Sequence, residues 1–268
     1  MSLPLADLKS LLRARKLDRT LTSTLPSHPS CDELVIARTG IASLDARLAG
    51  GFPRGQLSEL IGPRSSGRTS LVQQTLAAAT SREELVALVD ALDAFYVESA
   101  GAAGIAFDRL LWVRGHVVAN PGMCRDLNQR AVDQAIKALT LVLQAGNFGL
   151  VVLDVADAPH EAIRRLPFTT WLRLQRMVEG TQTACVLVGT EPMARSSAGL
   201  TLRLGAGQAG GAGRAGTLSS PSSPSCPSCR FKGRLFAGLK VTTTVVRARA
   251  HVHEETTATF TTTEAYHA

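Results

Sequence analysis

The chain has 268 residues, of which 45% are hydrophobic and 4% aromatic, and its formal net charge is +7. This length and apolar content suffice for one α/β domain with small appendages and place the chain among soluble globular proteins. No apolar run approaches the roughly 20 residues that span a bilayer, and the first residues lack the charged-then-apolar pattern of a signal peptide, so we predict a cytoplasmic protein with no membrane partner.

The first predicted element is a basic amphipathic helix over residues 3–19, where Leu5, Leu8 and Leu12 recur at helical spacing among lysines and arginines. Such a helix either packs on its own domain or docks on another protein or on nucleic acid. The residues that follow are rich in Ser, Thr and Pro, which is typical of a linker. We therefore predict an N-terminal helix and linker over residues 1–30.

Residues 31–204 alternate between strand and helix patterns. The predicted strands cover residues 56–61, 83–90, 110–113, 150–154 and 184–190, and the predicted helices cover residues 70–80, 95–104, 125–146 and 170–180. This alternation predicts an α/β core with a mostly parallel central sheet, right-handed crossovers and flanking helices.

The composition changes after residue 204. Residues 205–230 are dominated by Gly, Ala, Ser and Pro and predict a flexible loop. Residues 231–268 are rich in Val and Thr and predict a C-terminal β extension, with a strand pair at 234–249 and 256–262. No acidic residue lies between Pro192 and His253, whereas nine Lys and Arg residues do, which favours a surface that faces phosphates or an acidic partner.

Residues 62–70, GPRSSGRTS, lie between a predicted strand and a predicted helix and indicate a phosphate-binding loop. In the pattern G-x-x-x-x-G-K-[ST], glycines permit tight geometry, backbone N–H groups and the lysine bind the phosphates, and the hydroxyl binds Mg²⁺. Gly62, Gly67 and Thr69 match, whereas Arg68 replaces the lysine with a longer, planar group. The candidate nucleotide-binding residues are Gly62, Arg64, Ser65, Ser66, Gly67, Arg68, Thr69 and Ser70. The alternative is a turn that only starts a helix.

Asp154 ends the apolar strand predicted at residues 150–154. P-loop enzymes hold Mg²⁺ with an aspartate at this position, usually through water. Thr69 and Asp154 are therefore the candidate residues for a Mg²⁺ ion that accompanies ATP. An aspartate in this place also caps turns, so the position alone is a weak signal.

The chain resembles RecA-type P-loop proteins over roughly residues 34–204. The resemblance rests on the order and spacing of TGIASLD at 39–45, GGFPRG at 50–55 and GPRSSGRT at 62–69. It implies a RecA-like P-loop NTPase fold that binds ATP and Mg²⁺. The segment 91–96, ALDAFY, is similar to the RecA segment in which an aspartate and a tyrosine hold adenine, and this likeness gives Asp93 and Tyr96 that role.

The differences from RecA argue against an active ATPase. RecA has a water-activating glutamate after its second core strand, whereas this chain runs from Asp90-Ala91 directly to Leu92-Asp93. A missing general base costs a factor of about 10² to 10⁴ in rate. The glutamine that senses the terminal phosphate is also missing from residues 188–190, and the DNA loop that follows has a different sequence. We therefore expect a degenerate ATP site with little or no hydrolysis.

Among RecA relatives, the pattern is similar to the ImuA family of accessory proteins from bacterial SOS mutagenesis cassettes. LWVR at 111–114, WLRLQR at 171–176 and LFAGL at 235–239 carry this likeness. It implies a role in error-prone translesion DNA synthesis with an ImuB-type polymerase homologue, a replicative-type error-prone polymerase and RecA as partners. The alternatives are an active ATP-dependent recombinase that forms filaments on DNA, and a regulator that inhibits RecA filaments.

Two further features concern nucleic acid and metal. Arg164 and Arg165 lie where RecA-type proteins place a DNA-facing loop, so they are candidates for contact with single-stranded DNA, the alternative being a solvated basic turn. Cys226 and Cys229 have the spacing of a zinc or redox pair, but no second pair follows, and we interpret them as an accidental exposed pair.

Overall fold

The structure is a computed structural model that describes residues 36–115, 125–194, 198–205, 208–209, 239–248 and 257–262. The predicted helix and linker at 1–30, the pair Cys226 and Cys229, and all of the predicted loop at 205–230 except residues 205, 208 and 209 lie outside these ranges. In the described part of the chain, no helix is both long enough and apolar enough to cross a membrane.

Strands and helices alternate through the core, as the sequence predicts. The strands are β1 (Ile36–Ala37), β2 (Phe52–Pro53), β3 (Leu57–Ile61), β4 (Val86–Asp90), β5 (Leu110–Arg114), β6 (Leu150–Asp154), β7 (Ala184–Gly189), β8 (Ala198–Leu204), β9 (Gln208–Ala209), β10 (Leu239–Ala248) and β11 (Thr257–Thr262). The helices are α1 (Ala42–Asp45), α2 (Arg68–Ser81), α3 (Val97–Ala102), α4 (Arg125–Ala145), α5 (His160–Arg164) and α6 (Phe168–Val178), with a 3-10 turn at Phe107–Arg109.

Nine strands form one sheet in the order β11-β10-β8-β3-β7-β6-β4-β5, and β9 pairs with β10. The six strands from β8 to β5 are parallel, whereas β10 runs antiparallel to β8, β9 and β11. This arrangement confirms the predicted α/β fold with a mostly parallel central sheet, and it confirms the predicted β pair near the C-terminus. The carboxyl ends of the parallel strands meet at one edge of the sheet, where ligands bind in open α/β folds.

Both faces of the central strands are buried, which explains the apolar runs in β4, β6 and β7. On one face, Leu60, Leu88 and Val186 form a core with Leu71 and Leu76 of α2. On the other face, a second core forms between the sheet and helices α4 and α6; it includes Val89, Val151, Leu153, Leu139 and Leu174. The helix that follows the phosphate loop is thus fixed against the centre of the sheet.

A buried carboxylate, Glu59 on β3, anchors the neighbouring strand β8. Its Oε1 accepts hydrogen bonds from the backbone N–H groups of Met193 and Ala194 at 2.7 and 2.6 Å, and its Oε2 accepts one from the Thr201 hydroxyl at 2.9 Å. Buried charge is tolerated when hydrogen bonds replace its hydration. Glu59 thereby fixes the turn after β7 and strand β8 against the strand that leads into the phosphate loop.

Several elements were not predicted from the sequence, among them β1, β2, α1, β8, β9 and α5. Strand β8 contains Gly199 and helix α5 spans only five residues, so neither shows a clear periodic pattern. Gln208 and Ala209 pair with β10 although they lie inside the predicted flexible loop, so that prediction was wrong at these two residues. Their backbone groups are paired because the long strand β10 extends past the end of β8.

Candidate phosphate-loop site

The loop between β3 and α2 has the tight backbone that its glycines indicate. Gly67, the N-cap of α2, has φ +88°, and Ser65 also lies in the left-handed region at φ +59°. A Cβ on Gly62 would lie 2.7 Å from Ser66 Oγ and 2.8 Å from the carbonyl oxygen of Leu204, so no larger residue fits there. No side chain caps the N-terminus of α2, which leaves its first N–H groups available to an anion.

Arg68 is buried at the first position of α2, with 8% of its surface exposed. Within the described residues, its Nη1 is fully buried and has no hydrogen-bond acceptor, and the buried Oγ of Ser66 also lacks a partner. Burial lowers the pKa of Arg68, while the charges of Asp154 and Asp157 act in the opposite direction. The loop therefore encloses a cation and a hydroxyl whose hydrogen-bonding capacity is not fully used.

Asp154 lies where the sequence predicts, at the carboxyl end of β6. Burial raises its pKa to about 6, although its Oδ1 accepts a hydrogen bond from the N–H of Ala156 at 2.9 Å. The charges of Asp90 and Asp157 raise the pKa of Asp154 further, and that of Arg68 lowers it. Asp154 thus belongs to a cluster of carboxylates in which Arg68 supplies opposing charge.

Asp90 is a further carboxylate at this edge, and the sequence did not reveal its role. It is the register partner of Asp154 on the neighbouring strand β4. Its side chain accepts hydrogen bonds from the N–H groups of Ala94 and Phe95 at 3.0 and 2.8 Å and a longer one from Trp112 Nε1 at 3.4 Å. Asp90 thereby shapes the loop that carries the candidate base-binding residues.

Asp93 is held by an arginine on the next strand. Arg114 donates two hydrogen bonds to its carboxylate, at 2.8 and 2.7 Å, and this pairing holds the pKa of Asp93 below its usual range. The Arg114 guanidinium also lies over the ring of Trp112, 4.6 Å from its centroid. Tyr96 is 60% exposed and its hydroxyl contacts Glu98. Both predicted base-binding residues thus lie on the loop that leads from β4 to α3. Tyr96 is exposed to solvent, whereas Asp93 is paired with Arg114.

Three further predicted residues, Arg64, Thr69 and Ser70, also belong to the phosphate loop. Arg64 and Thr69 are exposed, and Ser70 is half-buried. Arg64 contacts the carboxylate of Asp157 at 3.1 Å. In the described part of the chain, no group of three or more His, Cys, Asp or Glu side chains is arranged to hold a metal ion. The unused donors of Arg68 and Ser66 fit an anion.

Arg164 and Arg165 are exposed at the end of α5. Beside them is a cavity of about 370 Å³, and the residues that line it are Arg125, Asn128, Pro159, His160, Glu161, Ala162 and Arg165. Arg125 forms an ion pair with Glu161, and His160 contacts Glu191 at 2.9 Å. The sequence did not indicate Arg125 or His160, because their approach depends on how α4 and α5 pack.

The connection from β7 to β8 is short. Only residues 190–197 join the two strands, and β7 ends at Gly189 with no amide side chain. Residues 193 and 194 are fixed to Glu59 by their backbone N–H groups.

Comparison with known proteins identifies the family. Residues 24–162 match the family model of the RecA N-terminal domain. The chain is 35% identical over 121 residues to Protein RecA of Phytoplasma mali (strain AT), an alignment that covers 45% of this chain and 32% of the relative. It is 34% identical over 121 residues to Protein RecA of Chlorobaculum parvum, which covers 45% and 31% of the two chains. The chain thus spans about a third of the length of these curated relatives.

The fold is also similar to a solved structure, the crystal structure of the RadB recombinase. The superposition has a TM-score of 0.53 at 20% sequence identity and covers 85% of this chain and 97% of that chain. This likeness concerns the fold alone. The match to the family model covers more than half of the 268 residues. The chain therefore belongs to the RecA N-terminal domain family.

Proposed function

We propose that this protein is a RecA-like accessory protein of SOS-induced, error-prone translesion DNA synthesis, with little or no ATP hydrolysis. It acts in the cytoplasm through contacts with an ImuB-type polymerase homologue, with RecA and with a replicative-type error-prone polymerase. The family relationship supports a role in DNA repair, and the likeness to ImuA supports the narrower assignment.

The observation that carries this proposal is that the two carboxylates nearest in sequence to the place of the RecA glutamate, Asp90 and Asp93, have partners for both oxygens. Asp90 accepts hydrogen bonds from the loop after β4, and Asp93 is paired with Arg114. Asp154 accepts from the N–H of Ala156 and faces Arg68, and Asp157 contacts Arg64. A general base must be free to take a proton from the attacking water. Asp90 and Asp93, with both oxygens engaged, do not meet that requirement in this arrangement.

Nucleotide binding is compatible with the same site. In this proposal the loop from Gly62 to Ser70 holds the phosphates, with Arg68 as its main charge, and Asp93 and Tyr96 lie beside the base. The nucleotide would then act as a structural ligand. A site of this kind stabilises the fold by its binding free energy without turnover.

Partner contacts are assigned to the basic parts of the chain. We propose that residues 1–30, predicted from the sequence as a basic helix and linker, and the acid-free span between Pro192 and His253 contact partner proteins. We also propose that Arg164 and Arg165 contact single-stranded DNA. The short connection at 190–197 supports a protein-binding role over a recombinase role, because a recombinase requires a DNA loop in that region.

Affinity capture tests this function. The tagged full-length chain is isolated from cells treated with a DNA-damaging agent, and the bound proteins are identified. We expect the ImuB-type polymerase homologue and RecA to be retained, and an Arg68→Ala variant to retain both equally, since these contacts need no hydrolysis. Retention of neither protein would overturn the assignment. Retention of RecA alone would favour the alternative function, in which this protein regulates RecA filaments through the fold that it shares with RecA.

A further inference from the structure

The surroundings of Arg68 distinguish this phosphate loop from one that uses a metal ion. The side chain is 92% buried in a loop whose backbone already carries the positive end of the α2 dipole. Its Nη1 has no acceptor within the described residues, although a buried guanidinium donor is costly to leave unpaired. The missing partner is thus an acceptor, and phosphate oxygens are suitable acceptors for this planar group.

The predicted metal ligands do not form a matching cation site. Asp154 lies close enough to Arg68 for each charge to affect the other, and Asp157 and Arg64 form an ion pair at the same mouth. A divalent ion beside Asp154 would lie next to the buried guanidinium, and the low local dielectric strengthens this repulsion. Thr69, the other predicted ligand, is exposed.

From these contacts we propose that the loop binds a nucleoside di- or triphosphate without Mg²⁺. This inference rests on the nucleotide binding assumed in the proposed function. Arg68 supplies the positive charge that a metal ion provides in a P-loop with lysine. The uncapped N–H groups of α2 and the Ser66 hydroxyl complete the set of donors. The ligand class is therefore the free nucleotide anion and not its magnesium complex.

Calorimetric titration of the full-length chain with ATP, once in excess EDTA and once in excess Mg²⁺, tests this inference. We expect the affinity in EDTA to equal or exceed that in Mg²⁺, because Mg²⁺ neutralises the anion that Arg68 attracts. An affinity that falls by about tenfold or more when Mg²⁺ is removed would overturn the proposal.

Two variants at position 68 sharpen the test. Arg68→Ala should abolish binding under both conditions. Arg68→Lys, which restores the compact charge that binds phosphates together with Mg²⁺ in the usual P-loop, should bind more tightly with Mg²⁺ than with EDTA. Arg173→Ala, which removes an exposed arginine from α6, is the matched control and should bind as the original chain does. Thermal unfolding of each variant identifies any loss of binding that comes from loss of fold.

The outcomes separate this inference from the proposed function. Absence of ATP binding under both conditions would overturn metal-free binding while leaving the capture of partner proteins unaffected. Metal-free binding together with failed capture would contradict the accessory role and leave the inference intact. A lysine variant that behaves like the original chain would contradict the role given to Arg68.

Discussion

Both carboxylate oxygens of Asp93, on the loop after β4, accept hydrogen bonds from the guanidinium of Arg114 at the end of the neighbouring strand β5. Asp93 has φ +57°, and Arg114 also lies over the ring of Trp112. The residue that family likeness assigns to adenine recognition is therefore occupied by a side chain of the same protein. A bound base has to compete with this pair.

Replacing Arg114 by Ala is expected to improve discrimination between bases. The freed Asp93 carboxylate can accept a hydrogen bond from the amino group of adenine, whereas guanine presents a carbonyl at that position. We expect the ratio of ATP to GTP affinity to rise by about fivefold or more, which corresponds to roughly 1 kcal/mol. Calorimetric titration with each nucleotide measures it. Arg109→Ala, an arginine just before β5, is the control, and an unchanged ratio in Arg114→Ala would exclude Asp93 from base recognition.

Replacing Asp154 by Asn is expected to alter the pH dependence of stability. Because burial raises its pKa from 3.8 to about 6, the folded protein keeps a proton that the unfolded chain releases in this window, and stability falls as pH rises through it. The loss amounts to at most about 3 kcal/mol. Asp154→Asn should therefore raise the free energy of unfolding at neutral pH and flatten its decline.

Urea unfolding at about pH 4 and pH 7 measures this difference. Asp157→Asn is the control, since Asp157 is more exposed and pairs with the exposed Arg64. An unchanged pH profile in Asp154→Asn would show that the Asp154 carboxyl is solvated in the folded protein.

Replacing Glu59 by Ala is expected to destabilise the fold strongly. Three buried donors, the N–H groups of Met193 and Ala194 and the hydroxyl of Thr201, would lose their acceptor. The expected cost is about 3 kcal/mol or more in the free energy of unfolding, measured in urea. Glu59→Gln should cost less, because its carbonyl can still accept from both N–H groups and the Thr201 hydroxyl can accept from its amide. Equal losses in the two variants would contradict this account.

Replacing both Arg164 and Arg165 by Ala is expected to weaken binding to single-stranded DNA. The loss of two phosphate contacts should reduce the slope of log affinity against log salt by about 1.4. Fluorescence anisotropy with a labelled oligonucleotide between about 50 and 200 mM salt measures the slope. Arg173→Ala with Arg176→Ala removes the same charge from the exposed face of α6 and serves as the control. A similar change in both double variants would show that the effect comes from the net charge of the protein and not from a contact of Arg164 and Arg165 with DNA.

The sequence predicts the local features of the site well. The bounds of β6 follow from one continuous apolar run that ends in an aspartate. The phosphate loop follows from its glycines, since Gly67 has a positive φ and Gly62 leaves no room for a Cβ. Both signals lie within a few neighbouring residues. For the same reason the alternation of strands and helices was sufficient to predict the fold class.

The sequence does not predict the side-chain contacts that the candidate site residues make in the folded protein. The pair between Asp93 and Arg114 depends on the register of β4 and β5, and the hydrogen bond from Thr201 to Glu59 joins residues 142 positions apart. The burial of Arg68 beside Asp154 depends on how α2 packs on the sheet. Each of these relations requires the assembled sheet.

Phosphate release by the full-length chain, with saturating ATP and Mg²⁺ and with or without single-stranded DNA, tests the central claim most directly. The account predicts a rate that does not exceed that of the Arg68→Ala variant, with or without DNA, because the water-activating glutamate is missing and both oxygens of the nearby Asp90 and Asp93 have other partners. Sustained release that DNA accelerates and that Arg68→Ala abolishes would contradict the account and establish an active ATPase.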